Sequence, residues 1–113
     1  MLNPNTNYYI NNLELPGRYF CDIKIESCRP ENFVGQNVSF SSVRVTIVSY
    51  KYFQKSRLIM SSHSANSILH PSDKFDFVRG IKVALTKAMK QFGWVVRKNL
   101  WEQVLEKCPE LSK

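Results

Sequence analysis

The sequence predicts an α+β fold, a small and largely antiparallel sheet of three to four strands packed against two C-terminal helices. Three observations predict it. Apolar and polar residues alternate over residues 18–27 and again from Val43 to Ile47, the period of a strand with one buried face. From Asp73 onward the spacing changes to the 3.6-residue period of a helix. The chain has 113 residues, 43% apolar and 12% aromatic, enough for one modest core and too short for a second domain.

Residues 1–17 read as an irregular, Asn-rich arm ahead of a single domain over 18–113. Asparagine is frequent among the first twelve residues and Pro4 interrupts them, while Pro16-Gly17 is a strong turn signal. In the first predicted strand, Tyr19, Cys21, Ile23 and Ile25 point one way and Asp22, Lys24 and Glu26 the other. Arg29-Pro30-Glu31-Asn32 and Gly35-Gln36-Asn37 read as loop. Val43, Val45 and Ile47 alternate with Arg44 and Thr46, and RLIMSSHS follows a turn near Phe53 to Ser56, so residues 43–64 are expected to form a hairpin. The preceding VSFSS either extends this strand or forms a short one of its own.

Phe77, Ile81, Ala84, Leu85, Ala88 and Phe92 place an apolar stripe on the first helix, with Arg79, Lys82, Thr86 and Lys90 opposite. Asp73 is the expected N-cap, Asp76 the acidic residue of the first turn and Gly93 the stop. Gly80 inside this helix costs about 1 kcal/mol relative to Ala, which points to a close approach of the helix backbone to the sheet. Asn99 and Glu102 have capping-box spacing for a second helix, with Leu100, Trp101, Val104, Leu105 and Cys108 as its stripe and Pro109 as its end. Trp94-Val95-Val96 reads as a buried connector or short strand.

Charge is unevenly divided. The net charge is +7, yet residues 1–43 are slightly acidic and the positive charge lies in residues 44–107. Such a field attracts phosphates or an acidic protein surface. No apolar run approaches the roughly 18 residues of a membrane span, and no membrane partner is expected. The opening MLNPNTNYYINN has neither the basic nor the apolar region of a signal peptide, so the expected location is the cytoplasm.

Catalytic chemistry finds little support. The two histidines, His63 and His70, lie in no Ser-His-Asp order, and the four glycines are scattered at 17, 35, 80 and 93 without a phosphate loop. Cys21, Cys28 and Cys108 make an odd count, against a disulfide framework. Cys21/Cys28 and His63/His70 each have six intervening residues, looser than the two to five usual for structural zinc. The expectation is no enzyme, no cofactor and no metal. One stretch points to binding: from Tyr50 to Arg57, three aromatics interleave with Lys51, Lys55 and Arg57. Single-stranded nucleic acid is bound by such combinations, and ordinary strand alternation also yields them.

The segment HPSDKFDFVRGIKVALTKAMK, residues 70–90, carries Pro71, Asp73, Phe75, Asp76, Gly80, Lys82, Ala84, Leu85, Lys87 and Ala88 in the pattern P-x-D-x-F-[DN]-x-x-x-G-x-K-x-A-L-x-[RK]-A after a strand. In this it resembles small accessory proteins of bacteriophages, over residues 43–91. His70 stands where many members have Cys, and Lys87 where Arg is frequent. The motif itself accounts for packing: a proline ends the strand, an aspartate caps the helix, and Phe75 and Gly80 let the helix lie on the hairpin. The resemblance implies a phage-encoded, non-enzymatic inhibitor of a bacterial defence system, foremost an anti-CRISPR protein that blocks a CRISPR effector or its nucleic-acid-bound complex in the bacterial host cytoplasm. The alternatives are a DNA- or RNA-binding phage accessory protein and a protein that sequesters an immune nucleotide signal. The expected partner-binding residues are Tyr52, Phe53, Lys51, Lys55 and Arg57 on the hairpin and Arg79, Lys82, Lys87 and Lys90 on the helix. The oligomeric state stays open, a dimer among the options.

Overall fold

Alternation of apolar side chains builds a four-stranded antiparallel meander in the computed structural model, which describes residues 2–29, 40–68 and 76–112. Its strands are β1 (Tyr8–Leu15), β2 (Tyr19–Cys28), β3 (Ser42–Phe53) and β4 (Ser56–Ile68), in that spatial order. Two helices, α1 (Phe77–Ala88) and α2 (Trp94–Lys107), cover one face, α1 over β3 and β4 and α2 over β1. Cys21, Ile23 and Ile25 of β2 and Val43, Val45 and Ile47 of β3 meet Ile81, Ala84, Leu85 and Ala88 of α1 and Leu100 and Val104 of α2 in one core. This is the predicted α+β fold, with the sheet at the upper end of the expected strand number.

The N-terminal reading needs correction. Residues 8–15 are not an irregular arm but edge strand β1, paired with β2 from Tyr8↔Ile25 to Leu15↔Tyr19. The register shifts between Ile10 and Leu13, and Asn12 takes a left-handed φ of 59°. That irregularity breaks the period of two, so Ile10 and Leu13 both reach the core at a spacing of three. The asparagines suggested a loop, and the bulge is what uses one of them.

Helix ends also differ from expectation. Asp76 is the N-cap of α1, its carboxylate accepting from the Arg79 amide at 3.1 Å, while Asp73 lies outside the described residues. Pro71, Phe75 and His70 lie outside them too, as does most of the predicted 29–37 loop. Of the described part of VSFSS, residues 40–42, only Ser42 belongs to a strand. After α1 the chain makes a 3-10 turn, Met89–Gln91, and Gly93 is the N-cap of α2 and not the end of α1. Trp94-Val95-Val96 is therefore the first turn of α2, with Trp94 and Val95 exposed. Asn99 lies inside that helix, its Oδ1 accepting from Gln103 Nε2 at 2.7 Å. The capping-box spacing arose by chance within a helix that starts six residues, nearly two turns, earlier than expected.

Gly80 is explained by contact. A Cβ there would stand 2.6 Å from Val43 Cγ2 and 3.1 Å from Ser67 Oγ, so only a bare backbone lets α1 lie this close to β3 and β4.

Candidate binding surface

The β3–β4 hairpin outgrows its support. Tyr50 is the last β3 residue with a partner on β2, Phe20, and from Lys51 onward β3 pairs with β4 alone. A strand of 13 residues spans about 43 Å, whereas the 12 residues of α1 span about 18 Å. The hairpin tip consequently projects beyond the helical layer. Gln54 and Lys55 close it with φ of 49° and 68°, the two left-handed residues that a two-residue turn between twisted strands requires.

Exposed apolar side chains gather on this tip. Tyr52 (52%), Phe53 (61%), Leu58 (48%), Ile59 (56%) and Met60 (49%) all keep about half their surface in solvent. Lys51 and Lys55 flank them. The sequence singled out Tyr52 and Phe53 and placed Leu58, Ile59 and Met60 only within the partner strand RLIMSSHS, without a binding role. β4 is an edge strand without helix cover here, and Met60 is the extra residue of a bulge, since Ser49 pairs with Ser61 and Tyr50 with Ile59.

At the base of the hairpin the open sheet face carries a polar network absent from the sequence reading. Tyr50 is fully buried, its hydroxyl 2.6 Å from Asn12 Oδ1 and 2.9 Å from Asp22 Oδ1, donating its one proton between them. Asp22 Oδ1 also accepts from the Asn12 amide at 2.9 Å, and Asp22 Oδ2 pairs with Arg57 Nη2. The Arg57 guanidinium lies over the Tyr50 ring, 3.8 Å from its centroid, a cation–π contact. Arg57, one of the expected partner-binding residues, braces the hairpin against β2 through Asp22 while 45% of its side chain stays exposed. Burial raises the Asp22 carboxyl, but the Asn12 amide, Arg57 and Tyr50 together hold it below the usual carboxylate range. Burial, aided by the Asp22 charge, pushes the Tyr50 phenol up to about 12, and Asp22 holds the Arg57 guanidinium above its already high value.

Phe20 extends this network as an aromatic surface, stacked on Tyr50 at 6.1 Å and set at 63° to Tyr52 at 5.6 Å. Beside it lies an open cavity of about 440 Å³ lined by Glu14, Leu15, Arg18, Tyr19, Phe20 and Tyr52.

The helix residues form a separate group. Arg79 and Lys87 are exposed on α1, Lys90 is exposed on the 3-10 turn that follows, and Lys82 is half-buried. Lys87 Nζ donates to the Asn66 carbonyl of β4 at 3.2 Å. Nine residues of strand separate Asn66 from Arg57, about 30 Å, so the structure does not join the basic helix face to the hairpin tip.

Metal-ligand geometry is poor. Cys21 and Cys28 lie on the same strand at an odd separation, so alternation turns them to opposite faces of the sheet, and His70 lies outside the described residues. Among the described residues no group of three His, Cys, Asp or Glu gathers. All three cysteines are free, and burial pushes the Cys21 thiol up to about 12, away from thiolate chemistry. No helix among the described residues is long and apolar enough to cross a membrane. Comparison with protein-family models, curated proteins and solved structures finds no match to the chain.

Proposed function

We propose that this chain is a non-catalytic binding protein, a phage-encoded inhibitor of a bacterial defence system that acts in the host cytoplasm. Its target in this reading is a CRISPR effector or the effector's nucleic-acid-bound complex. The observation that carries the binding reading is the hairpin tip. Five half-exposed apolar side chains, spread over both faces of a ribbon that carries Lys51 and Lys55 and is braced by Arg57, Asp22 and Tyr50, have the composition of an interface centre. The choice of target rests on the resemblance of residues 70–90 to phage accessory proteins.

The test is interference by CRISPR effectors of several types in cells expressing the protein. The wild-type chain is expected to block at least one. Phe53→Asp with Ile59→Asp should weaken that block at least tenfold while leaving the melting temperature nearly unchanged, because both residues already face solvent. A double variant that blocks as well as the wild type removes the tip from the mechanism.

A second reading has its own observation. The cavity between Tyr19, Phe20 and Tyr52, with Arg18 at its rim and Lys51 Nζ 5.9 Å from the Tyr19 ring centroid, suits a nucleobase and its phosphate. It supports a nucleic-acid-binding accessory protein or a protein that sequesters a nucleotide signal.

A further inference from the structure

The two edges of the sheet are finished differently. At the β1 edge, Gln103 of α2 reproduces a neighbouring strand: its Oε1 accepts from the Glu14 amide at 2.8 Å and its Nε2 donates to the Glu14 carbonyl at 3.0 Å. Lys107 Nζ adds a bond to the Asn11 carbonyl at 3.1 Å. These contacts block strand addition there. Among the described residues no strand lies beyond β4; its edge carries the Lys87 contact at Asn66, and every side chain from Ser56 to Ser64 is exposed. Between Leu58 and Ile68 there is neither a charged residue nor a proline, the usual devices that blunt an edge.

From this asymmetry we infer that β4 accepts an extended acidic segment of the partner protein as a fifth strand. The inference rests on the protein-partner reading above and names how the partner docks. Main-chain hydrogen bonds along an open edge give such complexes their affinity, and alternate side chains give their specificity. Charge selects the occupant. The helix lying over β3 and β4 exposes Arg79 and Lys87, the 3-10 turn after it exposes Lys90, and the whole chain carries +7. A second copy added at β4 would bring two such helices onto the same face of one sheet, whereas a segment carrying Asp and Glu would find opposite charge there. Nucleic acid lacks the alternating amide donors and carbonyl acceptors that a strand edge engages.

The probe is a ten-residue synthetic peptide alternating Val and Glu, compared with its Val–Lys counterpart and with a ten-nucleotide oligothymidylate. Amide hydrogen exchange across residues 58–66 is the readout. The acidic peptide should slow alternate amides there at least tenfold, and the basic peptide should not. Of His63→Pro and Ser64→Pro, the variant whose lost amide faces away from β3 keeps its melting temperature and should lose this protection. Protection by the oligonucleotide, by the basic peptide equally, or by raised protein concentration alone overturns the inference. The same proline variant separates the two readings in the interference assay: inhibition lost on Phe53→Asp with Ile59→Asp but kept by the proline variant rejects the fifth strand and leaves the hairpin reading standing. Protection by the acidic peptide without inhibition of any effector does the reverse.

Discussion

Asp22 shows how one side chain sets the posture of the hairpin. It joins Asn12 of β1, Tyr50 of β3 and Arg57 of β4, so the projecting tip is tied to three strands through one carboxylate. Because its folded-state value lies below the usual range, its stabilising contribution is complete above about pH 4, the unfolded carboxylate value, and is lost as pH falls through the folded one. Thermal melts of the wild type should decline in that acidic window, and Asp22→Asn should flatten that part of the profile while lowering stability at neutral pH. Equal pH profiles for the two proteins would show that Asp22 does not hold the hairpin. A second residue is set by space. Gly80→Ala gains about 1 kcal/mol in helix propensity but drives a methyl into Val43, and overpacking of that kind costs about 1–3 kcal/mol. The melting temperature is expected to fall, and Val43→Ala in the same chain should recover part of the loss. The Ser49 hydroxyl, buried without a hydrogen-bond partner among the described residues, marks a place where Ser49→Ala should raise stability.

At the scale of the element, the hairpin turn stores strain. Neither Gln54 nor Lys55 is glycine or asparagine, yet both are left-handed, at about 1–2 kcal/mol for a residue that disfavours the region. Lys55→Gly relieves this against roughly 0.5–1 kcal/mol of extra unfolded-state freedom. The melting temperature should rise by a few degrees. A fall would mean the turn is not as described. The same substitution removes a cation from the tip, so weaker target binding in a more stable protein is the expected combination. The elements themselves were uneven in what they disclosed. β2, β3 and the apolar face of α1 follow clean periods, and their partners were legible from Cys21, Ile23, Ile25, Val43, Val45 and Ile47. β1 was hidden because a bulge at Asn12 shifts its period and because asparagine favours turns. α2 began six residues, nearly two turns, earlier than expected because Gly93, which has no side chain to cap with, serves as its N-cap. Tyr52 and Phe53 were found as binding candidates from composition. Exposure of Leu58, Ile59 and Met60 was not, since it follows from β4 being an uncovered edge, a property of strand order that no local pattern encodes.

For the whole molecule, charge and shape are distributed to different places: apolar anchors at the hairpin tip, cations on α1 some 30 Å away along the strand, and an open edge running between them. If the cations attract the partner, Arg79→Glu with Lys90→Glu should weaken target binding strongly and change the melting temperature little, because exposed charges contribute little to folding. Unaltered inhibition would take α1 out of the mechanism. Whether the partner is a protein or nucleoprotein engaged through the tip is decided by affinity measured against salt for a blocked CRISPR effector and, in parallel, for free DNA and RNA. Binding to the effector through desolvated apolar anchors should persist at moderate salt and fall in Tyr52→Ala with Phe53→Ala. Binding to free nucleic acid should be weak and decline with a log-log slope of about 0.7 to 0.9 per phosphate contact. Nanomolar affinity for free DNA or RNA near physiological salt, abolished by the same two substitutions, would contradict the account and make the protein a nucleic-acid-binding one.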